Sequence, residues 1–256
     1  MSPHLTLTII LAGLAVGVLY GIFGVGSAFA TPMLSIIGVP GLAAVSGPLP
    51  AMLPGSATGA WSYVQAGNVD WRVAKRSIIG AVPASILGAI ASQWVGGPAL
   101  IAMSGVVLFV VGVRVLRPTR AAAVLDSPSW ADRHPVLLSA AAALVGFLSG
   151  LLANGGGFLL VPMFLLMVGL DMNKATGTSL VVATLLTVPT LVTRSFIGDI
   201  DWLVAGAFAI GMIPGTRIGA LSAARFDVAR LQRAFGVLLL VFAVWFLARE
   251  LPHLIA

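Results

Sequence analysis

Apolar residues run along this chain in stretches of about 20, the length a helix needs to cross some 30 Å of hydrocarbon, separated by short polar clusters. No segment alternates polar and apolar positions in the short runs a membrane β-barrel requires. The pattern predicts an all-α polytopic membrane protein. Plain apolar segments are predicted at about 44 to 66, 72 to 94 and 98 to 116, and again at 174 to 196, 202 to 224 and 229 to 249. Two further apolar stretches, at about 5 to 37 and 135 to 168, are interrupted by glycines at their centres.

Composition sharpens this reading. Hydrophobic residues make up 59% of the 256 positions and charged residues only 9%, which leaves no soluble domain of useful size. A formal charge of +6 would fit a nucleic-acid binder, but the 12 Arg and 2 Lys gather at segment ends, as in membrane proteins, so no nucleic-acid partner is expected. The lipid bilayer is the expected surrounding. The absence of Cys excludes disulfides, thiolate metal sites and thiol catalysis, and no cofactor or metal is implied. "MSPHLTLTII" lacks the basic region and cleavage site of a secretory signal and is expected to belong to the first membrane segment.

The second half copies the first. "GNVDW" (67 to 71) recurs as "GDIDW" (198 to 202), and "IGAVPASILGA" (79 to 89) as "IGMIPGTRIGA" (210 to 220). "GIFGVGSAFATPM" (21 to 33) answers "GLLANGGGFLLVPM" (150 to 163). The chain divides into a first membrane repeat (1–117), a polar linker (118–134) expected in the cytoplasm, and a second repeat (135–256).

Whether each broken stretch crosses the membrane once or folds back is read from charge. Single crossings make the repeats parallel and divide the loop cations 9 to 4, leaving Arg217 aside as intramembrane. Hairpins make them inverted and divide the cations 11 to 2, which obeys the positive-inside rule better. Equivalent loops also exchange charge: "DWRVAKR" is basic and its copy "DWLVAGA" is not, whereas "SQWVGGPALIA" is neutral and its copy "AARFDVARLQR" is basic. Two inverted-topology repeats are expected, each a glycine-broken helical hairpin plus three transmembrane helices, with both termini outside.

Irregular backbone within a bilayer survives only when packed in protein or facing a polar cavity. The breaks at Gly24-Val25-Gly26-Ser27-Ala28 and Asn154-Gly155-Gly156-Gly157 therefore call for a function. Each opens a new half-helix whose first N–H groups and dipole favour an anion, and glycine lets that anion approach the backbone. Inverted symmetry would bring the two tips together near the midplane, as in secondary transporters. The remaining glycine series, Gly13/Gly17/Gly21, Gly55/Gly59, Gly146/Gly150 and Gly211/Gly215/Gly219, read as close helix packing.

The segments "GLLANGGGFLLVP", "KATGTSL", "GDIDW" and "IGMIPGTRIGA", with their weaker first-half copies, resemble the sulfite exporter TauE/SafE family, also called toluene sulfonate uptake permeases. The resemblance covers essentially the whole chain. It implies a plasma-membrane transporter, in bacteria of the inner membrane, for sulfur-containing anions such as sulfite or organosulfonates. The first half departs from the pattern: Gly26-Ser27-Ala28 stands where a glycine triplet is usual, and Gly47-Pro48-Leu49 replaces Thr178-Ser179-Leu180. The second half is thus expected to supply most of the ligands.

The candidate substrate-binding residues are Gly26, Ser27 and Ala28 at the first break and Asn154, Gly155, Gly156 and Gly157 at the second. Thr178, Ser179, Arg217 and Gln65 complete the set. Arg217 is a site candidate because a charge inside a span is costly, and snorkelling to the surface is its alternative role. Thr176 is expected to cap its helix, Asp70 and Asp201 to be N-caps, and Lys174 an interfacial anchor. Gln65, Tyr63 and Ser56 line a cavity or bond between helices. All eight acids fall at segment ends or in loops, so no carboxylate is placed for a midplane proton relay. A monovalent anion leaving a cell at about 100 mV, negative inside, gains about 2.3 kcal/mol, so export needs no coupling ion. Export is favoured, and uptake, a channel or an intramembrane enzyme are the alternatives; no HExxH or GxSxG motif supports the last. A homodimer is left open.

Overall fold

The computed structural model describes residues 3–39, 47–92, 94, 113, 130–152, 157–197, 200–223 and 225–255, and among these every regular element is a helix. The first half contains α1 (Pro3–Phe23), α2 (Gly26–Ile36), α3 (Pro48–Gln65) and α4 (Trp71–Ala91). The second half is introduced by a single turn, α5 (Trp130–Arg133). It then contains α6 (Pro135–Leu152), α7 (Gly157–Met163, continued by a π-helical segment Phe164–Val168), α8 (Met172–Ile197), α9 (Trp202–Ala223) and α10 (Val228–Ile255). The helix expected at 98 to 116 and most of the polar linker lie outside the described residues.

Four of these helices, α1, α4, α8 and α9, are long and apolar enough to cross a membrane. Ile79, Leu87, Phe196, Leu203 and Ile210 are more than 60% exposed, a distribution that suits lipid rather than water. Trp71, Trp94 and Trp202 stand exposed at or just beyond helix ends, as in an interfacial aromatic belt.

Capping residues set the loop-helix junctions. The Asp70 carboxylate accepts from the Arg72 and Val73 N–H groups, and Asp201 does the same for Leu203 and Val204. Each meets two otherwise orphaned N–H groups at the positive end of the helix dipole. The expected N-caps at both positions are present. Asp201→Ala should cost about 1 kcal/mol of stability while Asp201→Asn, still a good cap, costs less; thermal unfolding in detergent reads the difference. Thr176 does not cap α8 as expected. Asp171 does, accepting from Lys174 N–H at 2.9 Å, which leaves Thr176 one turn inside the helix.

Glycine-lined helix pairs hold the halves together reciprocally. α1 packs along α9, and α6, its counterpart in the second half, packs along α4, the counterpart of α9. Gly13, Gly17 and Gly21 face the backbone at Phe208, Met212 and Thr216 in turn, while Gly211, Gly215 and Gly219 face Ile10, Leu14 and Val18. Numbers rise together on both sides, so the two helices run parallel. Gly80 and Gly88 meet Ser139 and Phe147, and Gly146 and Gly150 meet Ala81 and Ser85, which makes the second pair parallel as well. The packing role expected for these series is the one they have. Backbones at this separation gain dispersion contacts that larger side chains would prevent.

Equivalent helices α3 and α8 meet head to tail. Gly59 lies against Leu180, Tyr63 lies against Gly177, and the Asp70 N–H donates to Thr178 Oγ1 at 2.9 Å. The end of α3 is therefore beside the start of α8, and the two run antiparallel. The start of α6 joins the same end of the bundle, because Arg76 on α4 donates to the Ala131 carbonyl and Ser139 donates to the Arg76 carbonyl. Arg72, Lys75, Arg76, Arg133, Lys174, Arg225, Arg230 and Arg233 gather at this end, and Arg194 and Arg249 at the other. Arg114, Arg117 and Arg120 lie outside the described residues.

Candidate functional site

The first break is a hairpin turn. Gly24, with φ of 72°, adopts a left-handed backbone that favours glycine, and its N–H donates back to the Tyr20 carbonyl at 2.8 Å. The chain then reverses: a Cβ placed on Gly26 would lie 2.9 Å from the Val16 carbonyl and 2.8 Å from Tyr20 Cγ. In a continuous helix Gly26 would be about 15 Å from Val16 and about 9 Å from Tyr20 along the axis. Gly26, Ser27 and Ala28 form the first turn of α2, with Gly26 buried. The arm ends at Gly38, with φ of 91°, and its second-half counterpart ends at Gly169, with φ of 76°.

Gly24 is also the meeting point of the two halves. A Cβ on it would stand 2.8 Å from Ser179 Oγ and Val161 Cγ2 and 3.5 Å from Thr176 Cγ2. Gly157, the first residue of α7, abuts the Gly24 carbonyl, and a Cβ there would stand 3.1 Å from Tyr20 Cε2. The Tyr20 ring is thus bordered by both glycine openings. Asn154, Gly155 and Gly156 lie outside the described residues.

Among the described residues the polar side chains at this junction carry hydroxyls. Ser179 donates to the Thr176 carbonyl at 2.9 Å, and Tyr63 donates to the Gly21 carbonyl at 3.0 Å, fixing α3 to the end of α1. Tyr20 and Thr176 are both completely buried; the Thr176 hydroxyl has no hydrogen-bond partner, and the Tyr20 hydroxyl has none within ordinary hydrogen-bond distance and faces the Ser56 side chain. Each orphaned group of this kind costs about 1–3 kcal/mol, and native structures keep few of them. Ser149, the residue before Gly150 as Tyr20 is before Gly21, is buried and unpartnered too.

The structure separates the residues that the sequence grouped. Gly26, Gly157 and Ser179 come together around Gly24. Thr178 is committed elsewhere, accepting the Asp70 N–H as a clip between α8 and the loop before α4. Arg217 and Gln65 meet in a second place, a groove of about 430 Å³ between α3 and α9, walled by Thr58, Trp61, Ser62 and Leu221. Both are exposed there. Thr216, one position earlier, turns its buried side chain inward onto Gly59, so the helical rotation aims the Arg217 side chain out of the bundle. Tyr20 and Thr176 were not among the sequence candidates. The adjacency of Tyr20, one of only two tyrosines in the chain, to the glycine break was the signal available for it; Thr176 carried none.

A bundle of apolar helices in which two helix breaks abut in the interior belongs to the class of polytopic membrane transporters. The chain matches the family model described as Sulfite exporter TauE/SafE over residues 9–246, and it is a member of that family. It is 28% identical over 250 residues to a "Probable membrane transporter protein" of Xylella fastidiosa (strain 9a5c), covering 96% of this chain and 95% of that one. It is 24% identical over 257 residues to "Probable membrane transporter protein YjnA" of Bacillus subtilis (strain 168), covering 93% and 98%. No solved structure gives a significant match.

Proposed function

We propose that this protein exports a small sulfur oxyanion, sulfite or an organosulfonate, across the bacterial inner membrane, binding it where the two helix breaks meet. The abutment of Gly24 and Gly157, bordered by the Tyr20 ring and by Thr176, a buried side chain whose hydroxyl is unpartnered, is the observation that carries this reading. The α2 N-terminus at Gly26 adds first-turn N–H groups that have no acceptor within the helix and the positive end of an 11-residue helix. Gly155, Gly156, Asn154, Ser27 and Ala28 complete the proposed substrate shell, and Ser179 braces it from α8.

The two halves are inverted repeats, with the cation-rich end of the bundle in the cytoplasm and both termini outside. Antiparallel α3 and α8, equivalent by sequence, support the inversion, and eight cations against two among the described residues, Arg217 aside, support the orientation. Substrate reaches either side as the hairpins rock against the remaining helices, and the membrane potential drives the anion outward. In proteoliposomes the purified protein should release trapped sulfite or an alkylsulfonate at a saturable rate. The absence of flux for both anions overturns the proposal.

Arg217 and Gln65 act outside this shell. Their groove opens near the cation-rich end of α9, where an exposed guanidinium raises the local anion concentration. Arg217→Ala should raise the KM for the anion about two- to fivefold at low salt, with the maximal rate little changed and the effect fading at high salt. A fall in maximal rate with unchanged KM would instead give Arg217 a part in the conformational step.

A further inference from the structure

Every buried polar side chain among the described residues carries a hydroxyl, and none of them is charged. The breaks meet inside this neutral interior. The elements packed at the junction are α1, α2, α3, α7 and α8. Their titratable or charged residues, besides Tyr20 and Tyr63, are His4 at the start of α1 and Lys174 and Arg194 at the two ends of α8. His4 and Lys174 are exposed, and Arg194 is engaged with Ser92 on α4 at 3.1 Å. α9, behind α1, adds Arg217, which faces outward, and α10, whose Phe235 stacks on Phe23, adds Arg230 and Arg233 near its start, both exposed.

An anion entering this site loses water and gains hydroxyl and backbone N–H donors, but no counter-ion. The cost of moving an ion out of water grows with the square of its charge, so a dianion loses about four times what a monoanion of equal size does. Neutral donors give back an amount that grows more nearly in proportion to charge. The balance therefore turns against the second charge.

We infer that the junction of the two hairpins, where the Tyr20 and Thr176 hydroxyls are buried and no charged side chain is buried among the described residues, admits only the singly charged form of its oxyanion. This rests on the transport reading above and narrows it. Hydrogensulfite and alkylsulfonates are carried, and the fully deprotonated sulfite dianion is not. Protonation takes place on the substrate in water before entry, so no proton-relay carboxylate is needed within the bundle.

Three anions of similar headgroup separate the outcomes: methanesulfonate, singly charged throughout; sulfate, doubly charged throughout; and sulfite, which titrates near neutrality. Flux into proteoliposomes is measured from about pH 6 to about pH 9 with both faces at the same pH and no imposed potential. Methanesulfonate flux should be flat. Sulfite flux should drop with its monoanion fraction, by about tenfold per pH unit once past its own pKa, and sulfate should neither cross nor compete. Tyr20→Phe, which keeps the ring and removes the donor, should reduce methanesulfonate and hydrogensulfite flux in equal proportion at every pH. Sulfate transport, pH-insensitive sulfite flux, or methanesulfonate flux that falls in parallel with sulfite overturns the inference while leaving a transporter in place. No flux for any of the three overturns the transport reading itself.

Discussion

Gly157→Val abolishes transport, lowering anion flux at least about tenfold, while the protein still folds. Any Cβ at this position runs into the Gly24 carbonyl, and the branched valine adds a second collision with the Tyr20 ring. Gly24 cannot retreat easily, because Ser179 and Val161 bound it on the far side. The hairpin tips must separate, which pulls apart the donors that face the substrate. Overpacking at one point costs about 1–3 kcal/mol, within what a large helical bundle can absorb. Gly206→Ala is the matched control: it sits on α9 with nothing within 4 Å of the added Cβ, and alanine is the better helix former. Gly157→Val should lose its flux in proteoliposomes while its thermal midpoint in detergent falls only weakly, and the control should lose neither. Wild-type flux from Gly157→Val would remove the junction from the pathway.

The second large effect falls on folding. Gly211→Leu and Gly146→Leu each place a side chain against main chain, at Ile10 and at Ala81 respectively. A clash with a flexible side chain is relieved by a new rotamer, but a clash with a carbonyl in a facing helix requires the whole helix to move. Moving α1 from α9, or α6 from α4, opens the longest shared surfaces in the bundle. A loss of about 3 kcal/mol or more is expected, read as aggregation or a collapsed size-exclusion peak, and the effect should be alike in the two variants because the contacts are reciprocal. A folded, monodisperse Gly211→Leu protein would show that the α1–α9 contact is dispensable.

Much of this architecture is legible in the chain itself. Four spans emerge from apolar runs of sufficient length, and α3, α8 and α9 begin and end within a few residues of where the pattern places them. Asp70 and Asp201 are caps because a short carboxylate ahead of an apolar run has few better uses. Glycines spaced by four announce close packing, though not against what. Gly13 to Gly21 look the same whether they face α9 or a second copy of the chain, and only the fold selects α9.

The site was less legible, for reasons of rotation and reach. Thr178 and Ser179 are neighbours in a promising motif, yet 100° of helical turn sends one to the Asp70 backbone and the other to Gly24. Arg217 reads as an intramembrane charge, but its azimuth on α9 carries it outward, with Gln65. Thr176 reads as a cap until Asp171 proves to hold that role, and its hydroxyl is left for something the helix does not contain.

Sequence by itself determined the membrane setting, the duplication, the family and the position of the first helix break, because these follow from composition, local backbone cost and hydrogen-bond satisfaction, which act over a few residues at a time. Tertiary structure decided that the breaks touch, that Tyr20 lies between them and that Arg217 does not. Those outcomes depend on how residues over a hundred positions apart approach each other, and a pattern that records only spacing along one chain carries no such distance.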